Sequence, residues 1–521
     1  MRRNGPTATG TARPSPSPTS PRDPLLPAPA PAPPAAGPKR ITVLGAGIAG
    51  LVAAHELERL GHRVQVLEAR LRPGGRVRTH GFAGRGHGPL VELGAMRIPA
   101  AHRLTMQWID RLGLSDRVRQ FRPLFSDDAS YLETTAGHVR VRDASPALVE
   151  EFRRSLPPGH RYRPETVLCA AWLAASVDAV APGTFGRSLL SGLHGELLDL
   201  LADIDVRPYL VDGPVQRVDL NRFFAHHQGF AANGRFRYFF NDVVTETSSA
   251  LFRLDGGMDQ IPGRLARRLR GPVLWGQRVL GLHVRPDGVL VDVRHGLAVR
   301  RLVCDHVLCT LPFSVLRRMP LTGVGPEKTA VVNDMQYWPA TKIALHCREA
   351  FWEHDGISGG GSFTGGLTRQ TYYPPVESDP RLGAALLASY TIGPDAEALS
   401  EVPREKRVGT VLGELSAVHP ELGAPGMVLG SESQVWGEDP LSRGAASVRW
   451  SKDPVTAEEE RALAAVSQGA LFFAGEHCSS TPAWIEGALA SGLAAAEEIH
   501  AHAAPRRATT AGHRADAGGA R

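Results

Sequence analysis

Apolar residues come in two short runs around a helically spaced set between residues 41 and 76, ITVLGAGIAGLVAAHELERLGHRVQVLEARLRPGGR. Residues 41–44 predict a buried strand, Leu51, Val52, Leu57 and Leu60 one face of a helix, and residues 64–67 a second buried strand. Between the first strand and the helix stand Gly45, Gly47 and Gly50, spaced as GxGxxG. In that context the first glycine makes the tight turn, the second lets backbone N–H groups approach a pyrophosphate, and the third lets helix and sheet pack closely. Ile48 and Ala49 then open the helix, whose unpaired N–H groups and dipole favour an anion. Glu68 follows Gly45 by 23 positions, with Ala69 and Arg70 beside it. That offset suits the carboxylate that holds the adenosine ribose of a dinucleotide.

Further along, residues 134–250 read as mainly helical, an inserted helical domain. An apparent helix from Ile261 to Leu269 follows the turn Asp255-Gly256-Gly257-Met258. Period-two segments run from 277 to 284, 289 to 293 and 307 to 311, and a strand-rich region occupies about 335–450. The last organised stretch is a buried strand from 471 ending in the polar turn Gly475-Glu476-His477, then an Ala-rich helix to about 503. This order predicts a mixed α/β chain of interrupted domains. A nucleotide-binding domain comprises 39–75, 251–334 and 455–503, and a mixed-sheet substrate domain comprises 76–133 and 335–454. Residues 1–38 and 504–521, rich in Pro and Ala or in Ala, Gly and Arg, are expected to be disordered tails.

Charge looks informative at first, with a net of +6 and a pI near 9.2. The tails carry it: residues 1–40 have a net of +5 and 505–521 a net of +3, leaving about −2 for the body. The basic excess therefore does not argue for a nucleic-acid surface. No apolar run reaches the roughly 18 residues that cross a bilayer, and Met1-Arg2-Arg3 is not followed by a signal-type apolar stretch. A cytoplasmic protein without membrane or nucleic-acid partners is expected. The five cysteines show no metal-ligand spacing and read as reduced core thiols. Lysine is scarce, five among 59 basic residues, and Lys342 lies within the apolar strand 341–345. A strand that keeps an ammonium there needs a point donor or a tunable base.

GAGIAG with Glu68, PGGRVRT (73–79), LDGGMDQIP (254–262), LCTLP (308–312) and FFAGEH (472–477) together resemble the flavin-containing amine oxidase superfamily. GAMRIP (94–99), TKIALHCREAFWEHDGISGG (341–360) and SYTIGPDA (389–396) resemble its L-amino-acid oxidases, and the likeness covers most of 39–503. It implies a Rossmann-like FAD-binding domain of the glutathione-reductase type. It also implies FAD contacts at Gly45, Gly47, Ile48, Ala49, Gly50, Glu68, Ala69, Arg70, Gly75, Arg76, Gly94, Ala95, Met96, Arg97, Val279, Gly475, Glu476, Trp484 and Ile485. The loop 442–447 has no cysteine to tether a flavin, so FAD is expected to be non-covalent.

For the substrate, the resemblance assigns Arg97 and Tyr390 to the α-carboxylate, the Ala483 carbonyl to the amine, and Trp484 and Ile392 to the cavity wall. Lys342 is the lysine that holds a water beside flavin N5. Asn241 stands where venom-type members have a histidine, and Ala483 where they have glycine. Amine deprotonation would then rest on water, on selection of the neutral amine, or on His226, His227 or His477. The implied reaction is oxidative deamination of an L-α-amino acid by hydride transfer from Cα to N5, giving a 2-oxo acid, ammonia and hydrogen peroxide from O2. An amino-acid 2-monooxygenase and an amine or polyamine oxidase are the alternatives. A large apolar or aromatic side chain and a homodimer are further expectations.

Overall fold

The computed structural model describes residues 37–502, except 83–87, 157–158, 160, 184–197, 199–200, 214, 228–236, 249 and 451. The expected tails therefore lie outside the described residues, apart from Gly37 and Pro38.

The two apolar runs form neighbouring parallel strands, Arg40–Leu44 and Arg63–Leu67, with Ile41 opposite Val64 and Val43 opposite Val66. His306–Cys309 lies on the other side of the first strand, and Leu471–Phe473 lies beyond it. With Val273–Leu274 at the opposite edge they make a five-stranded parallel sheet. Strands so far apart in sequence share one sheet because each is apolar on both faces and needs cover on both. Helix Ile48–Arg59 supplies part of that cover, together with the last helix, Ile485–Ala501, through a shared core that includes Leu51, Val52, Leu489 and Ile499.

Two scarce lysines fasten distant segments. Lys39, 5% exposed, donates from Nζ to the carbonyls of Ile499, His500 and His502 at the end of the last helix. Lys328, 2% exposed, does the same for Leu463 and Ala464 at the end of helix Pro454–Ala465. A compact ammonium suits a helix C-terminus, where unpaired carbonyls and the dipole concentrate negative charge.

Antiparallel strands Gln277–Arg285 and Gly288–His295, close to the expected 277–284 and 289–293, form a second sheet with Ala298–Cys304, a strand the periodicity does not predict. The expected 307–311 is instead the strand His306–Cys309 of the parallel sheet. A seven-stranded mixed sheet includes Ala340–Cys347, Ala384–Ile392 and Val428–Val435. Helices Ser145–Arg154, Pro164–Val180 and Arg237–Thr247 share one apolar core. Two boundaries differ from expectation. Gly137–Arg140 is a strand paired with Tyr131–Thr134, because Gly137 closes a tight turn at φ 101° and returns the chain along the sheet, so the helical span begins later than 134. Leu251–Leu254, assigned by sequence to the nucleotide part, instead pairs with Ile98–Pro99 and Val118–Gln120. Its partners come from the neighbouring segment, which periodicity within one strand does not reveal.

Candidate active site

The first glycine turn is fixed by close contact. A Cβ on Gly50 would lie 2.1 Å from the Gly45 carbonyl oxygen, so only glycine permits the turn. Gly50 thus sits under the turn and does not line the cavity above it. That cavity is bordered by Gly45, Gly47, Ile48, Ala49, Glu68, Ala69, Arg70, Gly75, Arg76, Ala95, Val279, Gly475, Glu476, Trp484 and Ile485. A Cβ on Gly47 would meet no protein atom within 4 Å. The backbone there borders open space at a helix N-terminus, which fits an approaching pyrophosphate.

The Glu68 carboxylate accepts hydrogen bonds from the backbone N–H of Ala46 (2.7 Å) and Arg70 (2.8 Å), which fix it at the strand end. Burial raises its pKa despite those bonds. After Val279 the pairing of its hairpin slips, Val279 facing Val293 and Gly281 facing Asp292, and such a bulge leaves backbone groups outside the ladder. Arg76 donates to the Glu476 carboxylate (2.7 Å) and to the Ala445 carbonyl (3.1 Å). Glu476 also accepts from the Ser447 hydroxyl and the Ala483 N–H. Burial pushes the Glu476 carboxyl up, but the Arg76 charge together with His477 and the hydrogen bonds from Ala483 and Ser447 outweighs it and holds the group down to about 2. The loop residues Ser442, Arg443 and Ala445 complete the border, and no cysteine lies among its described residues. Cys478 donates to the Ala464 carbonyl, and burial pushes its thiol up to about 12.

A second cavity adjoins the first and shares Arg76, Ala95, Ala445, Ala483, Trp484 and Ile485 with it. Gly94, Met96 and Arg97, grouped by sequence with the flavin contacts, border this second cavity and not the first. Their segment is held from two sides: Trp436 donates to the Leu93 carbonyl, and Ala95 N–H to the Arg76 carbonyl. Tyr390, Ile392, Lys342, Ala483 and Trp484 all line the same space.

Lys342 and Tyr390 are paired across neighbouring strands, and the ammonium lies 4.6 Å from the tyrosine ring centre. Lys342 donates to the Gly94 carbonyl (2.8 Å) and toward the Met96 sulfur (3.3 Å). Burial, and then the Arg97 charge, bring its pKa down to about 7. Arg97, 6% exposed, donates to the Tyr372 hydroxyl at 3.2 Å and forms an ion pair with Glu246. Ala483 has φ 68°, in the left-handed region that favours glycine.

Asn241 lies in helix Arg237–Thr247, and its side chain is outside the described residues. The next residue, Asp242, borders the cavity and accepts from the indole N–H of Trp450 (2.6 Å) and of Trp484 (3.4 Å). Burial raises its pKa to about 7. Of the three histidines considered, His226 and His227 both meet the Tyr209 hydroxyl, at 3.2 and 3.0 Å, and His477 is buried 4.4 Å from the Phe313 ring. None of the three borders the cavity. Sequence reasoning missed Tyr372, Asp242, Glu246, Trp338 and Trp450. Trp338 and Trp450 meet edge to face at 4.8 Å and wall the cavity.

A dinucleotide cradle adjoining a cavity with a buried arginine and lysine fits a flavin-dependent oxidoreductase. The chain belongs to the flavin-containing amine oxidoreductase family, whose sequence model matches residues 48–500. It is 52% identical over 467 residues to the flavin-dependent L-tryptophan oxidase RebO of Lentzea aerocolonigenes, covering 89% of this chain and 98% of that protein. An L-amino-acid oxidase of Demansia vestigiata is 28% identical over 475 residues, covering 89% and 87% of the two chains. Among solved structures, a putrescine oxidase bound to putrescine shares the fold with a TM-score of 0.61 at 20% identity, covering 89% of this chain and all of that one. Among the described residues, no helix is long and apolar enough to cross a membrane.

Proposed function

We propose that this protein is an FAD-dependent oxidase of L-α-amino acids with a large aromatic side chain, L-tryptophan foremost. One observation carries the reading: a buried arginine and four tryptophans line one cavity that opens onto the nucleotide cradle. An α-carboxylate needs a cation, and an indole needs flat apolar walls that a simple amine would not require. The similarity to a tryptophan oxidase over nearly its full length supports the same choice.

In this reading Arg97 and Tyr390 fix the substrate carboxylate, and the Ala483 carbonyl accepts from the amine. Trp338 and Trp450 receive the side chain, with Trp484 and Ile392 completing the wall. Such positioning is the main contribution of the protein to the rate. Glu68 and Arg76 would hold the ribose and pyrophosphate portions of FAD, with Val279 at the adenine, and binding would be non-covalent. FAD bound there would supply the acceptor for the Cα hydride and the route for its electrons to O2. Lys342, held against the Gly94 carbonyl and the Tyr390 ring, is the residue placed to hold a water where oxygen would arrive. With asparagine at 241, the amine loses its proton to water or enters neutral, and the Asp242 carboxyl, at about 7, is the titrating acid nearest that place in the sequence. The released imino acid hydrolyses to a 2-oxo acid and ammonia. Five buried free cysteines fit a cytoplasmic setting, and a homodimer follows the family resemblance.

Anaerobic mixing of the purified yellow protein with each L-amino acid tests the reading. L-Tryptophan and its close aromatic relatives should bleach the flavin, while D-isomers and tryptamine should not. In air, one peroxide should appear per 2-oxo acid. An amide and carbon dioxide without peroxide would identify a monooxygenase instead, and bleaching by tryptamine alone an amine oxidase.

A further inference from the structure

Arg97 does not wait for a ligand with its charge unmet. One end of its guanidinium donates to Tyr372, and the other is paired with the carboxylate of Glu246, which reaches in from helix Arg237–Thr247. Arg97 and Glu246 are largely shielded, at 5% and 16% side-chain exposure, and both border the cavity. Asp242, one helical turn earlier, borders it too. Two carboxyl groups and two cationic side chains, Arg97 and Lys342, therefore already share this space.

We propose that Glu246 is an internal stand-in for the substrate carboxylate, and that an α-amino acid enters by displacing it from Arg97. The inference rests on the reading that Arg97 receives the substrate carboxylate. An incoming carboxylate cannot simply join the pair. It would set a second carboxylate on a guanidinium whose other end is held by Tyr372, in a largely shielded space that Asp242 also borders. A displaced Glu246 left without a cation would be costly in turn. A zwitterion solves both difficulties, because its carboxylate takes Arg97 while its ammonium compensates the released Glu246, so the amine enters protonated and gives up its proton to water afterwards.

The arrangement thus tests a ligand for two groups at once. A simple amine brings the cation but does not release Arg97, whereas a simple acid releases Arg97 but leaves Glu246 unmatched. Selection for α-amino acids then follows from an exchange between carboxylates, beyond the presence of an arginine.

The experiment compares the wild-type holoenzyme with Glu246→Gln, titrating each with indole-3-propionate and with tryptamine and following the flavin absorbance. A neutral glutamine competes for Arg97 less well than a carboxylate, so the variant should bind indole-3-propionate roughly tenfold more tightly, the difference between a charged and a neutral hydrogen bond. Tryptamine should gain nothing. Unchanged or weaker binding of indole-3-propionate, or an equal gain for both ligands, would overturn the proposal. A crystal structure of the wild-type holoenzyme with indole-3-propionate gives a second answer that does not depend on the variant folding. Arg97 should pair with the ligand and Glu246 should have moved away; Glu246 still on Arg97 with the ligand held elsewhere overturns the exchange. If L-tryptophan bleaches the wild-type flavin while Glu246 keeps Arg97, the exchange alone fails. If no L-amino acid bleaches it, the functional reading fails and takes the exchange with it.

Discussion

The two adjoining cavities are built from different materials. The nucleotide cradle is made mostly of backbone: a turn that only glycine permits, a helix N-terminus and a carboxylate pinned by two N–H groups. The substrate cavity is made of side chains delivered by separate segments, with Arg97, Glu246, Lys342, Tyr372 and Tyr390 meeting only in the folded chain. The first is specified by local sequence and tolerates little change of shape. The second is specified by charge, and its members can be exchanged without disturbing the backbone. Substitutions in the two regions should therefore fail in different ways.

The largest effect should come from Arg97→Met. Removing one partner of a buried charge pair costs about 3–5 kcal/mol, so kcat/KM for L-tryptophan should fall by roughly 10² to 5 × 10³-fold. Flavin content should stay at the wild-type level, and steady-state kinetics beside the flavin-to-protein absorbance ratio would show both. Loss of flavin would break the distinction between the cavities.

Next come two substitutions inside the cradle. Gly50→Ala places a Cβ against the Gly45 carbonyl and should cost about 2–4 kcal/mol of stability, together with the flavin. Gly47→Ala places its Cβ in open space, at a residue whose φ of −75° alanine adopts freely. It should fold with stability changed by no more than about 0.5 kcal/mol, yet bind FAD at least roughly tenfold more weakly as the methyl meets the pyrophosphate. Thermal midpoints and FAD titration of the apoprotein separate the two outcomes. Equal behaviour of the two variants would mean that the cradle is not shaped by backbone proximity.

This contrast also explains what could be read from the sequence. GxGxxG, the two apolar strands and Glu68 are local, and the structure brings them together at the cradle. Lys342 stood out because lysine is rare in this chain, and it is buried beside Tyr390. Tyr372 was hidden by its neighbours: Arg369–Tyr372 reads as a polar, exposed strand but is buried throughout. Its polar groups are used up against the end of helix Pro164–Val180, Gln370 donating to the Ala179 carbonyl and Arg369 to that of Ala181. Asp242 and Glu246 have the spacing of a solvated helix face, and only the fold turns that face toward Arg97. Periodicity reports that a helix has two faces; the charge it meets decides which one is functional.

Lys342→Met sharpens the comparison by separating function from stability within the substrate cavity. Burial lowers the lysine from 10.5 to about 7, so between those values the unfolded chain holds a proton that the folded chain has released. Stability then rises with pH across that window, and the penalty for burying the ammonium is fullest below about 7. Methionine removes the penalty, at the loss of the bonds to Gly94 and Glu92. The variant should be more stable by ~1–3 kcal/mol near neutral pH, with the gain fading toward pH 10, while reoxidation of its flavin by O2 slows by about 10²-fold. Thermal melts at several pH values and stopped-flow reoxidation give the two readouts. A stability gain that does not fade with pH would mean that packing, not charge, sets it.

The smallest effect is expected where the cavities meet, at Ala483. Its φ of 68° imposes the left-handed conformation on a residue with a Cβ, a strain of about 1–2 kcal/mol that glycine does not carry. Glycine in turn adds freedom to the unfolded chain, which costs roughly 0.4–1 kcal/mol. The two terms nearly offset, so Ala483→Gly should raise stability by no more than about 1 kcal/mol, seen as a small upward shift of the thermal midpoint with flavin content unchanged. Ala483 N–H is held by Glu476, which Arg76 also holds, so the strain is supported by the cradle side of the junction. Disrupting that support with Glu476→Gln should therefore shrink the gain from glycine at 483, because a backbone no longer pinned can relax the alanine by itself. A gain of the same size in both backgrounds would show that the two cavities, although they share this wall, are mechanically independent there.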